Sequence, residues 1–393
     1  MSQPGPMAPH HRRAVVTVIL STLLVLAIAT GTVVAVFYKH LDANLHTGQA
    51  IKHLVKKKRG PKTPLNILVM GIDTRSGQGD KIDTEAGLNG SDTNILLHVS
   101  ADRRSAYGVS IARDTLVTRP DCTTANGKRI PGGTLQQWNL AYARGGPACT
   151  AEQVEQVTGI PVDGYLTVDF EGFKSMVDAI DGVQVCIPQD VNDQKHGIVL
   201  KAGTQTLKGQ DALNYVRERY STPNSDLGRM KRQQAFISSM INKVVSAGTL
   251  TRPDRLVKFA DAAASSVTAS PGLDTVHALV KLAEQLKHID LTHITFVTAP
   301  VMDYPQNPNR LIFAPDAKQL WKRILNDKPL TKALTSGSIS AGAPPGGTSS
   351  PSSPSSTSSA SGTPSGTGSP SQGSGSAGSG QTAEQAKENG LCA

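Results

Sequence analysis

An apolar run without a single charged residue extends from Ala14 to Tyr38 and constrains any fold that this chain can adopt. A helix of that length crosses a bilayer at about 1.5 Å per residue. The apolar core of a cleaved signal peptide is shorter, about 7–15 residues. We therefore predict a retained transmembrane helix at residues 14–38, after a cytoplasmic tail at residues 1–13. Cations flank the run on both sides, at Arg12, Arg13 and Lys39, so charge alone leaves its orientation open.

Composition divides the remaining chain into three parts. A polar spacer at residues 39–63 carries the run Lys56-Lys57-Lys58-Arg59, which suits anionic lipid or wall polymer. Residues 64–327 are long enough for one large core. Residues 336–393 are mostly Ser, Gly, Pro and Thr and end near Cys392, so we predict a disordered tail there.

Helical and strand periodicities alternate within residues 64–327 and predict an α/β domain. Buried strands are expected at Leu65–Met70, Asn94–Val99, Ala106–Ile111, Val183–Ile187 and His293–Thr298. Helices are expected at residues 135–143, 151–158, 170–180, 208–215, 228–247, 253–264, 274–287 and 315–326. Interleaved elements of this kind imply a sheet covered on both faces, with a ligand site where strand ends meet loops.

The four cysteines indicate disulfide bonds rather than a metal site. No two of Cys122, Cys149, Cys186 and Cys392 have the C-x-x-C spacing of a zinc site. An even number in a membrane-anchored domain fits two disulfides on the oxidising side of the membrane. Three pairings are possible, and our hypothesis is Cys122–Cys149 together with Cys186–Cys392. Four independent buried thiols are the alternative.

The segment from Tyr215 to Gln234 is rich in cations. It contains Arg217, Arg219, Arg229, Lys231 and Arg232 against Glu218 and Asp226. Arginine suits planar recognition of phosphate oxygens. A helix that begins at Gly228 would put the last three cations in its first turn, where the macrodipole favours an anion. We therefore expect a polyanion site, with a solvated basic face as the alternative.

Three further charged patches adjoin the first predicted strands. They are Gly71-Ile-Asp-Thr-Arg75, Ser91-Asp-Thr93 and Ala112-Arg-Asp-Thr115. Asp73 and Asp92 form a natural pair for Mg²⁺, which takes one or two carboxylates besides phosphate oxygens and water. An aspartate beside a strand can also be a turn former or a cap. Three acidic loops beside an arginine-rich segment predict a site for a metal-bound pyrophosphate.

This combination of motifs resembles the LytR-CpsA-Psr family of cell-envelope proteins, from about Leu65 to Val244. Besides the three patches, the resemblance rests on Trp138–Tyr142, Val177–Val183, Leu207–Arg219 and Asp226–Gln234. Gly90 stands where the family often has arginine, and Ala112 replaces the usual proline, but neither change removes a carboxylate. The Gly, Ala and Ser content and the cysteine pattern are similar to those of actinobacterial members.

The resemblance implies a three-layer αβα fold with a central mixed sheet, preceded by one transmembrane helix. It implies a single-pass membrane protein with a cytoplasmic N-terminus and an extracellular phosphotransferase domain. Such an enzyme attaches anionic glycopolymers from a polyprenyl-pyrophosphate carrier to peptidoglycan through a phosphodiester. Its partners would be the lipid-linked glycopolymer, peptidoglycan and membrane lipid, but no nucleic acid.

Roles follow for individual residues of this chain from the same resemblance. Asp73 and Asp92 would hold Mg²⁺, with Mn²⁺ as an alternative ion. The pyrophosphate would be bound by Arg75, Arg113, Arg217, Arg219, Arg229 and Gln233. The catalytic residues would be Asp226, Asp92 and Arg113, with Asp226 favoured over Asp92 as the group that positions or deprotonates the acceptor hydroxyl.

Other functions remain open at the level of the sequence. A pyrophosphatase that cleaves the lipid-linked glycan would use the same residues, with water in place of the sugar hydroxyl. An envelope-related transcriptional attenuator would fit the net charge of +9, but we identify no helix-turn-helix or zinc-finger pattern. A non-catalytic wall-binding protein would explain the basic spacer and the tail, yet would leave Asp73 and Asp92 without a purpose.

Overall fold

The structure is a computed structural model that describes residues 9–56, 63–73, 90–220, 225–246, 252–345 and 383–392. Its helices are α1 (Pro9–Asn44), α2 (Leu140–Thr158), α3 (Phe170–Ala179), α4 (Gly209–Arg217), α5 (Ser225–Ser246), α6 (Pro253–Ser266), α7 (Val276–Leu286), α8 (Ala317–Leu325) and α9 (Ala383–Glu388). Its first strands are β1 (His46–Thr47), β2 (Leu65–Ile72), β3 (Ser91–Val99), β4 (Ala106–Ser110), β5 (Leu116–Arg119), β6 (Cys122–Thr123), β7 (Arg129–Ile130), β8 (Gly133–Gln137) and β9 (Gly164–Asp169). They are followed by β10 (Val183–Ile187), β11 (Val191–Asp193), β12 (Ile198–Leu200), β13 (Gly203–Leu207), β14 (Val267–Ala269), β15 (Ile294–Thr298), β16 (Val301–Tyr304), β17 (Asn307–Phe313) and β18 (Ile339–Ser340).

Eight strands form a central mixed sheet in the order β1-β14-β9-β2-β3-β4-β15-β18. β2 is antiparallel to β3 and parallel to β9, and β4 is parallel to β15. A third parallel pair joins β1 to β14. Parallel pairs inside a sheet with antiparallel neighbours explain why the strands read as buried apolar runs. The mixed sheet confirms the predicted fold class.

Side chains alternate between the two faces of this sheet and bury both. Leu68, Met70, Leu96, Val109 and Val297 pack with α2 and α8 on one face. Ile95, Val99, Ala106 and Phe296 pack with Ala235, Ile237 and Ile241 of α5 on the other. Because successive residues of a strand point to opposite faces, the two helical layers follow directly from the strand sequences.

A smaller unit packs beside the sheet. The β10–β13 and β11–β12 hairpins contribute to a second apolar cluster with α3, α4 and α5. Val177, Tyr215 and Phe236 are buried at its centre. The charged cleft described below lies between this unit and the adjoining ends of β2 and β3.

The predicted helix at residues 135–143 is wrong in its first part. β8 continues to Gln137 and pairs with β5, and α2 begins only at Leu140. Leu135 and Trp138 have helical spacing, but the side chain of Leu135 is exposed and its φ of 50° lies in the left-handed region. Trp138 directly follows the β5–β8 hairpin and is buried there. Its spacing from Leu135 therefore matches that of a helix although the chain is not helical.

The folded region extends beyond the predicted boundary at residue 327 and into the predicted tail at 336–393. β18 pairs with β15 at the edge of the sheet, and Ile339 and Ala341 are buried there. In α9 and the residues after it, Ala386 and Leu391 are buried in the same apolar cluster. Both predicted disulfides are present, with Cα–Cα distances of 5.4 Å for Cys122–Cys149 and 5.7 Å for Cys186–Cys392. The second one ties the C-terminal residues to β10.

α1 contains the predicted membrane span. It is the only helix in the described part of the chain that is long and apolar enough to cross a membrane. Most of its described side chains are exposed, as those of a helix surrounded by lipid would be. These properties are consistent with a single-pass anchor.

Candidate active site

Two aspartates meet where β2 ends and β3 begins. Ile72 of β2 pairs with Ser91 of β3, so Asp73 follows one strand beside Asp92 on its antiparallel neighbour. Asp92 lies inside β3, because that strand begins at Ser91 instead of at the predicted Asn94. Both side chains line one cleft together with Arg217, Arg219 and Arg229, among other residues. The predicted metal pair therefore shares a wall with three of the predicted arginines.

Arg113 is held against this wall by two carboxylates. Its Nη1 donates to Oδ1 of Asp92 at 2.8 Å, and its Nε donates to Oδ2 of Asp114 at 3.2 Å. Gln137 orients the second carboxylate in turn, because its Nε2 donates to Oδ1 of Asp114 at 2.8 Å. Burial lowers the pKa of Arg113, but the charges of Asp92 and Asp114 outweigh it and raise that pKa above its ordinary value. Arg113 is thus a fixed, permanently charged group behind the cleft.

The arginines also keep Asp92 ionised. Burial raises the pKa of this carboxyl, whereas the charges of Arg229, Arg113 and Arg219 lower it. The lowering effects prevail, so the pKa of Asp92 lies below its ordinary value. Asp92 therefore carries a negative charge at neutral pH and can ligate a cation.

The end of α4 presents two more arginines. α4 ends at Arg217, later than the predicted Tyr215, and Glu218 is extended with ψ of 133°, so the chain turns before Arg219. The guanidinium of Arg217 stacks on the ring of Phe170 at 4.5 Å and lies 3.9 Å from Oδ2 of Asp73. Burial, with the positive charges of Arg229 and Arg113, lowers the pKa of Arg219. An anion bound here would relieve that repulsion.

Arg229 enters the cleft from α5. Its side chain is only 3% exposed, and its Nη2 lies 2.5 Å from Oδ1 of Asp226. Asp226 itself is not among the lining residues of the cleft, and both of its carboxylate oxygens are buried behind Arg229. Gln233 lines the cleft, but its Nε2 already donates to the carbonyl oxygen of Val216 at 3.0 Å. Asp226 therefore contacts Arg229 in the wall of the cleft and does not itself line the cleft.

The predicted grouping of three cations in the first turn of this helix is wrong. α5 begins at Ser225, so Asp226 occupies the first turn and Arg229 the second. Lys231 donates instead to the carbonyl oxygen of Gly337 at 2.7 Å, and Arg232 donates to that of Glu218. Lys231 lies two positions after Arg229, about 200° around the helix axis, and so points away from it. Arg232 lies three positions after Arg229 on a neighbouring part of the helix surface, and its hydrogen bond to Glu218 directs it away from the cleft. Only Arg229 of the three lines the cleft.

Asp193, His196 and Tyr220 are among the cleft residues that the sequence analysis missed. Asp193 and His196 lie on the β11–β12 hairpin, where Nδ1 of His196 is 2.6 Å from Oδ2 of Asp193. The imidazole stacks on the ring of Tyr220, with 4.8 Å between centroids and 7° between planes. All three line the cleft. The hairpin is short and has no sequence motif of its own. Only the pairing of β11 with β12 shows that Asp193 and His196 reach the cleft.

Arg75, the remaining predicted pyrophosphate ligand, lies outside the described residues, and its role stays a prediction. Among the described residues there is no group of three or more His, Cys, Asp or Glu side chains that could hold a metal by themselves. Mg²⁺ does not need one, since one or two carboxylates and phosphate oxygens suffice. Asp73 and Asp92 have the chemistry of such a pair.

The sequence of this chain is similar to those of known cell-wall proteins. The sequence model of the LytR_cpsA_psr family matches residues 33–326. Cell wall biosynthesis protein LcpA of Corynebacterium glutamicum is 33% identical over 261 residues, which are 60% of this chain and 50% of LcpA. The polyisoprenyl-teichoic acid–peptidoglycan teichoic acid transferase TagV of Bacillus subtilis is 32% identical over 269 residues, 66% of this chain and 63% of TagV. The chain thus spans half of one relative and less than two thirds of the other.

Solved structures share the fold. The crystal structure of B. subtilis TagV has a TM-score of 0.52 at 28% identity and covers 68% of this chain and 99% of that one. A structure of TagT bound to LI-WTA has a TM-score of 0.54 and covers 72% of this chain and 98% of that one. At 24% identity, this second likeness concerns the fold alone.

Proposed function

Because this chain belongs to the LytR-CpsA-Psr family, we propose that it is a membrane-anchored glycopolymer–peptidoglycan phosphotransferase. It would transfer an anionic glycopolymer from a polyprenyl-pyrophosphate carrier to a hydroxyl of peptidoglycan and form a phosphodiester. One observation carries the proposal: Arg217, Arg219 and Arg229 line a single cleft with Asp73 and Asp92. The name of its relative TagV, a teichoic acid transferase, supports the same reaction class.

The arginines bind and neutralise the pyrophosphate. Phosphoryl transfer needs little covalent help from the protein, since positioning and charge neutralisation supply most of the rate. Arg217 and Arg219 approach the cleft from α4, and Arg229 approaches from α5. Arg113 holds Asp92 from behind and adds its charge to the same site.

Asp73 and Asp92 would hold Mg²⁺ against the pyrophosphate. The ion, when bound, offsets charge on the phosphate oxygens and on the departing lipid phosphate. The lowered pKa of Asp92 supports this role, because a metal ligand must be ionised. Magnesium dependence is part of the proposal, with Mn²⁺ as the alternative ion.

The reaction exchanges one phosphorus–oxygen bond for another. The acceptor oxygen bonds to the phosphorus of the glycopolymer and its proton passes to water. The phosphorus–oxygen bond to the carrier breaks, and polyprenyl phosphate leaves. Asp92 is on the wall of the cleft and can meet the hydroxyl, whereas Asp226 is held behind Arg229. We therefore assign Asp226 a positioning role and Asp92 the direct contact, which reverses the preference drawn from the sequence.

The domain would act on the outer face of the membrane. All four cysteines are paired, and disulfides persist in oxidising compartments. A cytoplasmic regulator of transcription would expose both pairs to reducing conditions. The N-terminus is then cytoplasmic, and membrane lipid and peptidoglycan are the partners that the domain would meet.

The test is transfer by the full-length protein in detergent. It is incubated with a polyprenyl-pyrophosphate glycan and Mg²⁺, with and without peptidoglycan, and release of lipid phosphate is measured. Release that requires peptidoglycan and leaves glycan on it is the expected result. Equal release without acceptor would make the protein a pyrophosphatase instead. Arg219→Ala should abolish release, while Arg129→Ala is the matched control, since Arg129 is an exposed arginine that does not line the cleft.

A further inference from the structure

α1 does not end where the apolar run ends, but continues into the folded domain. Its last turns pack against α6 and α7 in one apolar cluster. The members of this cluster are Phe37, Leu41, Leu45, Ala260, Ala264, Val276 and Leu279. Oδ1 of Asp42 also accepts a hydrogen bond of 2.7 Å from the backbone amide of Val276 at the start of α7. The anchor and the domain are therefore one packed unit at this point.

α6 runs beside α1 in the same direction. Nε2 of His40 lies 3.1 Å from Oδ1 of Asp261. A few residues further along both segments, His46 of β1 pairs in parallel with Thr268 of β14. The two segments, α1–β1 and α6–β14, contact each other at two points in the same chain order, so they run in the same direction. The start of α6 therefore lies toward the apolar run of α1.

This alignment determines the position of the first turns of α6 relative to the membrane. Val257 precedes Asp261 by one helical turn and so lies about 6 Å closer to the membrane, at 1.5 Å per residue. The corresponding position on α1 is near Val36, inside the predicted span of residues 14–38. If α1 crosses the bilayer, the start of α6 lies at the level of the lipid headgroups.

The side chains at that level match such a setting. Leu256 is 39% exposed and Val257 is 43% exposed. Exposed Arg252 and Lys258 stand on either side of them, with Asp254 as one opposing charge in the first turn. Apolar side chains flanked by cations are typical of surfaces that insert shallowly among anionic headgroups.

We propose that the start of α6, residues 252–258, is a second membrane contact of this protein, which inserts Leu256 and Val257 at the surface of an anionic bilayer. Together with α1 it attaches the domain at two points and fixes its tilt. The catalytic cleft is then held at a constant height above the membrane. This inference goes beyond the proposed transferase activity and depends only on α1 as the membrane anchor.

Site-directed fluorescence on the full chain tests the proposal. All four native cysteines are in disulfides, so one introduced cysteine is a unique free thiol. Leu256→Cys is labelled with an environment-sensitive dye, and the protein is reconstituted in nanodiscs of phosphatidylglycerol and phosphatidylcholine that contain a lipid quencher at shallow depth. Leu325→Cys is the matched control, because this leucine is 45% exposed at the end of α8, a helix that contributes nothing to the apolar cluster of α1, α6 and α7.

The expected result is emission from residue 256 that is shifted to the blue and quenched several-fold more than emission from residue 325. Val257→Cys should give the same result as Leu256→Cys, so that the conclusion does not depend on a local effect of one substitution. In a further sample, Arg252→Glu with Lys258→Glu should reduce the quenching at residue 256. Equal quenching at residues 256 and 325, with strong quenching of a label at Val36 in α1, would overturn the proposal.

Discussion

Nη1 of Arg113 donates a hydrogen bond of 2.8 Å to Oδ1 of Asp92, and this pair connects the end of β4 to the start of β3. The arginine holds a second carboxylate, Asp114, through its Nε. Both contacts require a planar group with donors in two directions, which arginine has and lysine lacks. The pair therefore positions the carboxylate that we assign to Mg²⁺ and to the acceptor.

Replacement of Arg113 tests this positioning. Arg113→Ala should lower kcat about 10²–10³-fold, the usual effect of removing one preorganised charge from a transition-state site. Arg113→Lys should restore little, since an ammonium group cannot hold Asp92 and Asp114 in the same geometry. Acceptor-dependent release of lipid phosphate is the measurement. Near-normal activity of Arg113→Lys would show that only the charge matters.

The two aspartates should differ in their dependence on the metal. Asp92→Asn should raise the Mg²⁺ concentration for half-maximal activity by about tenfold or more, because a ligand is lost. Asp226→Asn should leave that concentration unchanged.

In a double-mutant cycle, Asp226→Asn and Arg229→Ala should be coupled by about 1 kcal/mol or more, since their side chains are in contact. Additive effects would remove the positioning role of Asp226.

His196 and Tyr220 stack on each other in the wall of the cleft, so we expect them to contribute to substrate binding. Tyr220→Ala should raise KM by about two- to tenfold, the equivalent of an aromatic contact of 0.5–1.5 kcal/mol. Tyr220→Phe keeps the ring and is the matched control. The kcat of both variants should stay close to that of the native protein. A large loss of kcat in Tyr220→Phe would instead indicate chemistry at the phenol.

Buried Lys231 predicts a pH dependence of stability. Burial lowers its pKa from 10.5 to about 8. Between these values the unfolded chain holds a proton that the folded chain has lost, so the free energy of unfolding rises with pH in that window. Relative to Lys231→Met, the rise should be at most about 3 kcal/mol. Denaturant unfolding from pH 7 to 10.5 measures it, with Lys318→Met, an exposed site, as the baseline.

The two disulfides should stabilise the fold unequally. They close segments with sequence separations of 27 and 206 residues. The chain-entropy relation gives about 4 kcal/mol for the shorter loop and about 5 kcal/mol for the longer one. Cys186→Ser with Cys392→Ser should also release residues 383–392 from the sheet, which hydrogen exchange would detect. Unchanged protection there would show that burial of Ala386 and Leu391 suffices.

The sequence by itself determined the features that depend on neighbours along the chain. The apolar run, the buried strands at Leu65–Met70 and Val183–Ile187 and most helices could be predicted, because periodicity is a local signal. The ordered motifs also indicated the family that the family model confirms. Asp73, Asp92 and the arginines were recognisable as a group because phosphate chemistry demands these residue types.

Only the tertiary structure decided which of those charges meet. Arg229 lines the cleft while Lys231 and Arg232 turn away, because these two donate to the carbonyl oxygens of Gly337 and Glu218. Asp193 and His196 reach the cleft through a hairpin pairing, and α6 aligns with α1 through contacts such as His40 with Asp261. Such contacts join residues far apart in the sequence, and their geometry comes from packing of the whole domain, which no local pattern encodes.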